Sequence, residues 1–243
     1  MGKLVKENDS LANRNVVISN YITRSAQTLN LVEKRILMAG IAKLCGVNGE
    51  VKLTAQEYAD TYKVDMSTAY RELKNAVNSL MKRSLSWQVK DGKHIGTLSC
   101  VWVQGYKYFK EEGYVKFKFS EYVFPFLFEL KKEFTKYQLQ QAAALRSIYS
   151  WRLLELFEQM KDKTDSSGWL SMTIEEFWHA MEATESHKKN FSDLRRWVIE
   201  PAIKELSEKD NWLIEWEARK RGRKVATLLF KFQRNPQGSL FNE

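Results

Sequence analysis

Cysteine, proline, glycine and histidine are all scarce in this chain of 243 residues. Its two cysteines, Cys45 and Cys100, lie far apart without a C-x-x-C pair, which excludes a disulfide scaffold and a cysteine-rich metal site. Three prolines and eleven glycines offer few breaks, so we expect long helices and strands joined by short loops. The three histidines form no H-x-H pair of the kind that a nicking enzyme uses to hold a metal ion.

Long apolar runs and catalytic motifs are absent as well. No stretch approaches the ~18 apolar residues of a membrane helix, and the opening MGKLVKENDSLANRN lacks the apolar core of a signal peptide. No G-x-x-x-x-G-K-[ST] loop is present to hold a nucleoside triphosphate, and no G-x-S-x-G turn to present a serine. We therefore expect a cytoplasmic binding protein rather than an enzyme, with no membrane association, cofactor, metal site or catalytic residue.

Positive charge is what the chain has in excess. Lysine and arginine total 39 against 30 acidic residues, which gives a net charge of +9 and favours a polyanionic partner. Residues 155–185 hold eight acids and two bases, whereas residues 186–234 hold thirteen bases and seven acids. This asymmetry indicates that one face of a domain meets phosphate groups; an ordinary solvated helix surface is the alternative.

The first half of the chain has the element order of a winged helix. The pattern predicts a helix over 29–44, a strand over 51–53, a helix that Thr54 caps with Glu57, and a helix over 67–82. Three alternating segments follow, with hairpin turns at 91–92 and 111–113. Helix, strand, helix, turn, helix and antiparallel hairpins make up a winged helix-turn-helix domain.

The second half repeats this order. A helix over 138–161 precedes a short strand, and Thr173 caps the next helix with Glu176, as Thr54 does with Glu57. A polar turn, a helix from about position 190 and two strands complete the copy. The duplication predicts an α+β fold of two tandem winged helix-turn-helix domains, at 1–130 and 131–243.

Three segments of the duplicated pattern are similar to a known family. They are NYITRSAQTLNLVEKRIL near the start, FTKYQLQQAAALRSIYSWRLLELF at the joint and FSDLRRWVIEPAIKEL in the second domain. Each resembles a segment of the replication initiator (Rep) proteins of iteron-containing bacterial plasmids. The resemblance implies binding of double-stranded DNA at direct repeats in the origin, a homodimer in equilibrium with the monomer that represses its own gene at an operator, and contacts with host DnaA and the replicative helicase.

The residues themselves also point to DNA. Recognition helices must present polar or forked donors to base edges and positive charge to phosphates. Candidate contacts on the second recognition helix are Lys189, Asn190, Ser192, Arg195 and Arg196. Those on the first are Ser67, Thr68, Arg71, Lys74, Asn75 and Asn78. Because Pro201 lacks an N–H group, we expect a kink or a restart of the second helix after Glu200.

The turn R-K-R-G-R-K is a candidate wing that follows the DNA backbone or minor groove. Its bases are Arg219, Lys220, Arg221, Arg223 and Lys224. A hairpin with Lys90, Lys93 and His94 is a weaker candidate for the wing of the first domain. A solubilising loop is the alternative interpretation of both.

The tail resembles the Gln-x-Ser-Leu-Phe peptide by which bacterial proteins dock on the sliding clamp. Gln237, Leu240 and Phe241 would supply the amide and the two apolar anchors. A chance match, or a tail that folds back on its domain, is the alternative. For the whole chain, the competing interpretation is a winged-helix transcriptional repressor without a role in replication.

Overall fold

The structure is a computed structural model that describes residues 10–235, with the backbone alone at positions 87–89. The chain forms two compact units that divide between Ala143 and Ala144, not after residue 130. The later division arises because strand Phe134–Gln138 pairs antiparallel with strand Asn15–Ser19 and so belongs to the first unit. Sequence patterns missed both of these strands.

The first unit contains seven strands and five α-helices within the described residues. In chain order they are β1 (Asn15–Ser19), α1 (Asn20–Arg24), α2 (Leu31–Ala42), β2 (Glu50–Thr54), α3 (Ala55–Tyr62), α4 (Met66–Leu80), β3 (Ser84–Asp91), β4 (His94–Val101), β5 (Val103–Phe109), β6 (Tyr114–Phe119), β7 (Phe134–Gln138) and α5 (Leu139–Ala143). Strands β2, β6 and β5 form a sheet in that order. The core includes its buried inner side chains Leu53, Val115 and Phe117.

Helix α2 is buried on almost every side, from Glu33 to Ile41. The sequence shows two apolar stripes on this helix, which would serve either a dimer surface or burial on two sides. The structure has burial on two sides. The buried Glu33 carboxylate accepts from Arg83 Nε at 2.9 and 3.0 Å and from the Ser79 hydroxyl, and so joins the start of α2 to the end of α4.

The second unit contains three strands and five α-helices within the described residues. They are α6 (Ile148–Met160), β8 (Ser167–Thr173), α7 (Ile174–Met181), α8 (Glu185–Lys189), α9 (Phe191–Leu194), α10 (Glu200–Asp210), β9 (Trp212–Arg221) and β10 (Lys224–Arg234). A π-helical turn at Arg195–Ile199 lies between α9 and α10. The sheet order β8-β10-β9 repeats the order β2-β6-β5.

The two units confirm the duplicated winged helix in detail. Thr54 and Thr173 each form a capping box with the glutamate three residues on. The helix after each cap ends in a left-handed residue, Lys63 at φ 53° and Glu182 at φ 52°. The fold is therefore two tandem winged helix-turn-helix domains.

Two helix predictions for the second half need correction. The helix expected over 138–161 is broken at 144–147, where Ser147 caps a new helix by accepting from the Tyr149 N–H. The polar segment expected to be a turn contains α8, because Thr184 caps it by accepting from the His187 N–H.

Buried charges fix the end of the second sheet. Arg234, at the end of β10, donates to Asp210 on α10 at 2.7 Å and to Glu158 on α6 at 3.1 Å. The Trp212 indole N–H also donates to Asp210, at 2.8 Å. This network holds β9 and β10 against the helices, so the hairpin that extends beyond it has a fixed base. No helix within residues 10–235 is long and apolar enough to cross a membrane.

Candidate nucleic-acid interface

Helix α4 of the first unit has one buried face and one polar face. Leu73, Val77 and Leu80, which share one helical stripe, are buried, whereas Tyr70 on the same stripe is half-exposed. The opposite face exposes five of the six candidate DNA contacts. They are Ser67, Arg71, Lys74, Asn75 and Asn78. Ser67, Arg71, Lys74 and Asn78 follow one another at intervals of three or four residues, and Asn75 lies four residues after Arg71. All five therefore lie on one side of the helix, as groove contact requires.

The sixth candidate, Thr68, is committed to the start of α4. Its N–H donates to the Asp65 carboxylate at 2.8 Å and its hydroxyl donates to the same carboxylate at 2.7 Å. The Thr68 oxygen also accepts from Arg71 at 3.3 Å. The hydrogen bond from the Thr68 N–H holds the pKa of Asp65 below its ordinary value, so the cap stays ionised near neutral pH. Thr68 therefore orients Arg71 rather than standing free.

The second recognition segment is not one regular α-helix. The N–H of Glu200 donates to the carbonyl of Arg195, five residues earlier, which widens the turn Arg195–Ile199 into a π-helix. Pro201 explains this turn, because it has no N–H to donate and its ring would clash with the carbonyl four residues before it. The expected restart is present, since α10 begins at Glu200 with Pro201 in its first turn.

The two recognition arginines differ in their surroundings. Arg195 Nε donates to Glu200 Oε1 at 2.6 Å, and its guanidinium lies 5.9 Å from the centre of the Trp216 ring. The Arg196 guanidinium lies 4.9 Å from the ring centre of its neighbour Trp197. Both arginines are exposed, but Arg195 already has a carboxylate partner.

Sequence reasoning did not select Trp197, whose surface is 58% exposed. Pro201 was the available signal in the sequence. A proline disturbs the helical turn that precedes it, and this disturbance changes which side chains of that turn face outward.

The remaining candidates lie at the start of this segment. Lys189 and Ser192 are exposed. Asn190 is exposed but caps α9: its side chain accepts from the Ser192 N–H and donates to Asp193, both at 3.0 Å. Like Thr68 in the first unit, Asn190 holds the beginning of a recognition helix in shape.

The basic segment of the second unit is the tip of the β9–β10 hairpin. Most of it is strand rather than turn, because β9 extends to Arg221 and β10 starts at Lys224. Only Gly222 and Arg223 form the turn, with Gly222 at φ +65°. All five bases of this tip are exposed. We call them the basic wing: Arg219, Lys220, Arg221, Arg223 and Lys224.

The basic wing carries uncompensated charge. Arg221 and Lys224 are direct cross-strand partners, an arrangement in which like charges destabilise a hairpin. Arg219 is paired with Glu217 at 2.6 Å, whereas the other four bases form no ion pair within the described part of the chain. A phosphate backbone would relieve the repulsion between Arg221 and Lys224.

The corresponding hairpin of the first unit is β5–β6, not β3–β4. Strand β6 lies between β2 and β5 as β10 lies between β8 and β9, whereas β3 and β4 form a separate two-stranded sheet. The comparison of Lys90, Lys93 and His94 with the basic wing was therefore wrong. The true counterpart, residues 110–113, carries one lysine and two glutamates.

Two other expectations stand apart from this interface. Gln237, Leu240 and Phe241 lie outside the described residues. Between residues 10 and 235, no group of three or more His, Cys, Asp or Glu side chains is placed to hold a metal ion.

Residues 15–158 match the family described as initiator replication protein, WH1, and residues 173–232 match initiator Rep protein, WH2. The chain belongs to the replication initiator family. This confirms the resemblance to the iteron-plasmid Rep proteins, and it accounts for both winged helices.

Individual relatives agree with this assignment. A replication initiation protein of Escherichia coli is 29% identical over 201 residues, which cover 79% of this chain and 59% of the relative. This chain therefore spans little more than half the length of that relative. The PI protein of Escherichia coli is 24% identical over 88% of this chain and 80% of its own. A crystal structure of Pi initiator protein with iteron DNA shares the fold, with a TM-score of 0.77, 22% identity and coverage of 93% of this chain and 99% of that one.

Proposed function

We propose that this chain initiates plasmid replication by binding direct repeats, or iterons, at an origin in double-stranded DNA. The observation that carries the proposal is the basic wing beside a recognition segment with exposed arginines, in a member of the replication initiator family. The related Pi protein has been crystallised with iteron DNA, which supports the same class of target here.

We assign different roles to the candidate residues. Arg196 offers a planar fork that suits a guanine edge, and the Trp197 ring restricts its motion. Arg195 would have to leave Glu200 before it could contact DNA. The basic wing supplies contacts to phosphate, and the exposed face of α4 supplies a second, less basic reading surface.

Dimerisation and repression of its own gene are further parts of the proposal. The β3–β4 sheet supports a dimer surface on the first unit, because no other strand in the described chain pairs with either of its edges. Unpaired strand edges are ready templates for a second copy. Ile95 on β4 is 67% exposed. Ile95→Lys should therefore lower the fraction of dimer measured by sedimentation equilibrium. An average molecular mass equal to that of the unaltered chain would argue against this dimer surface.

Recruitment of DnaA, the replicative helicase and the sliding clamp, in the cytoplasm, completes the proposal. The clamp contact has a direct test. Leu240→Ala with Phe241→Ala should abolish clamp pull-down by the full chain. If the intact protein also fails to bind the clamp, the clamp proposal is wrong.

The central test is titration of the purified chain against labelled DNA from around its own gene, with a scrambled duplex as control. Specific binding to short direct repeats at about 150 mM salt supports initiation. Binding to a single inverted repeat alone would favour the repressor, and equal binding to the scramble would contradict both. Arg196→Ala should cost about 10-fold or more in specific affinity. Arg195→Ala is the matched control, because Arg195 is already held by Glu200.

A further inference from the structure

The outer face of the first unit's sheet carries a row of lysines. Lys116 on the central strand β6 is the direct partner of Lys52 on β2 and of Lys107 on β5. Lys118, two residues along β6, lies on the same face. We call these four residues the lysine face. Three like charges thus occupy neighbouring positions across three strands.

Nothing in the described chain neutralises the row Lys52–Lys116–Lys107, because none of these three lysines forms an ion pair with a described residue or has an acid as its cross-strand partner. The fourth lysine, Lys118, has Glu50 as its cross-strand partner. Like charges placed directly opposite each other destabilise a sheet. The row Lys52–Lys116–Lys107 therefore works against the stability of the unit unless an anion lies on it.

The second unit shows that the fold does not require this face. Aligning Thr54 with Thr173 places Ser171, Leu229 and Glu217 where the first unit has Lys52, Lys116 and Lys107. The next row there pairs Lys231 directly with Glu215. One architecture thus carries an all-lysine row in one unit and a row with no net positive charge in the other.

The surface has room for a ligand. A shallow groove of about 310 Å³ is lined by Lys107, Lys116 and Lys118 and by Gly105, among others. Gly105 stands opposite Lys118, and a Cβ there would meet no atom within 4 Å. Lys107, Lys116 and Lys118 therefore border an open groove.

The lysine face differs from the DNA-reading face of α4. The inner side of the sheet is buried, with Val115, Phe117 and Phe119 at 1% exposure or less, and α4 packs against β5 and β6. Because side chains alternate along a strand, Lys116 and Lys118 point to the side of the sheet away from α4. DNA seated on α4 leaves the lysine face free.

The aromatic residues on this face do not offer platforms for stacking bases. Phe109 and Tyr114 stack on each other with ring centres 4.5 Å apart. Lys52 Nζ lies 4.0 Å from the centre of the Tyr114 ring and covers it. The face therefore offers positive charge to an anionic backbone but no open aromatic ring to a base.

We propose that the lysine face is a second, sequence-independent binding surface for a nucleic-acid backbone, separate from the two recognition helices. This rests on the proposed function in that it gives a DNA-binding chain one more DNA contact. Through it, a chain that reads its repeat with α4 would also hold a neighbouring backbone, from a duplex or from a separated strand.

The test compares the full chain with the triple variant Lys52→Gln, Lys107→Gln, Lys116→Gln. The chain is first saturated with an unlabelled duplex from around its own gene, which occupies the recognition helices and the basic wing. Its affinity for a labelled scrambled 30-bp duplex and for a labelled scrambled 30-nucleotide single strand is then measured across a salt series. Loss of up to three phosphate contacts should reduce the slope of log affinity against log salt by about 2 to 3. A smaller slope on the duplex alone or on the single strand alone supports the proposal and identifies the source of the backbone.

Three controls make the outcome decisive. The triple Lys→Arg variant should retain the slope, and Lys231→Gln, on the equivalent face of the second unit, should leave it nearly unchanged because Glu215 lies across from it. Binding of polyglutamate, a polyanion without phosphates, is measured in parallel. The proposal would be overturned if the triple Gln variant kept the salt slopes of the unaltered chain. It would also be overturned if that variant lost affinity for polyglutamate but not for DNA. Preference for the chain's own repeats over the scramble is read separately, so failure of the initiator function would be visible in the unaltered protein.

Discussion

Neutralising the basic wing should weaken DNA binding in a way that depends strongly on salt. The perturbation replaces Lys220, Arg221, Arg223 and Lys224 by glutamine. These four are exposed and form no ion pair with any described residue, so each is available for a phosphate. Arg219 is left in place because Glu217 already neutralises it.

The expected change in the salt dependence of DNA affinity follows from the release of counterions when the wing contacts phosphates. Each phosphate contact contributes about 0.9 to the slope of log affinity against log salt, so four contacts contribute about 3.6. Between 50 and 200 mM salt the unaltered chain should therefore lose about 150-fold more affinity than the variant does. The preference for target over scrambled DNA should change little, because backbone contacts carry no direct sequence information.

The assay is fluorescence anisotropy with a labelled target duplex at four or more salt concentrations. Glu217→Gln is a matched gain-of-contact control, because it frees Arg219 and should add about 0.9 to the slope. Circular dichroism should show the quadruple variant folded, since it removes the repulsion between Arg221 and Lys224. A folded quadruple variant with the slope of the unaltered chain would refute the assignment of the wing to phosphates.

Three further predictions concern the supports of the interface. Glu33→Gln should lower the free energy of unfolding of the first unit by about 1–3 kcal/mol, because it removes a buried charge paired with Arg83; a urea midpoint equal to that of the unaltered chain would contradict this. Burial raises the pKa of Glu57, but hydrogen bonds from Lys43 and Thr54 outweigh it and hold that pKa below 4.5. The stabilisation from Glu57 is therefore present above pH 4.5 and is lost as the pH falls through the lowered value, so Glu57→Gln should flatten the decline in urea stability between pH 5 and 3. Pro201→Ala restores a backbone N–H and should convert the π-helical turn to α-helix, which rotates the Arg196 side chain by about 100° around the helix axis. The preference for target over scrambled DNA should then fall roughly 10-fold. An unchanged preference would show that the π-helical turn does not position Arg196.

Features set by neighbouring residues could be predicted from sequence. The capping boxes at Thr54 and Thr173 depend on a side chain and a backbone N–H three residues apart, so a short stretch of sequence is enough to predict them. The buried positions Leu73 and Leu194 follow from helical periodicity in the same way. Because both halves of the chain show these local patterns in the same order, the sequence predicts the duplicated fold.

Features set by strand partners could not be predicted in this way. Alternating patterns identify three extended segments, of which the second contains both β4 and β5, but they do not say which hairpin adds to β2. For that reason the wing of the first unit was placed on the wrong hairpin. The lysine face was hidden for the same reason, because Lys52, Lys107 and Lys116 become neighbours only through the register of three strands.

Ion pairs in the folded chain also give different surroundings to side chains that the sequence alone does not distinguish. Arg195 and Arg196 are adjacent and both exposed, yet Glu200 holds only Arg195. Which arginine is free depends on the π-helical turn, since that turn fixes where Arg195 and Glu200 lie on the surface.

The duplicated fold has placed its positive charge differently in the two units. The hairpin tip of the second unit holds five bases, whereas the equivalent tip of the first holds Lys110, Glu111 and Glu112. Two glutamates beside a phosphate backbone would repel it, so the proposed backbone contact through a wing applies to the second unit and not to the first. Its free positive charge lies instead on α4 and on the lysine face, on opposite sides of one sheet. In the proposed binding mode, the second unit combines base and backbone contacts on its recognition segment and wing, while the first unit separates them onto two surfaces. Such a separation would let one chain hold more than one stretch of nucleic acid.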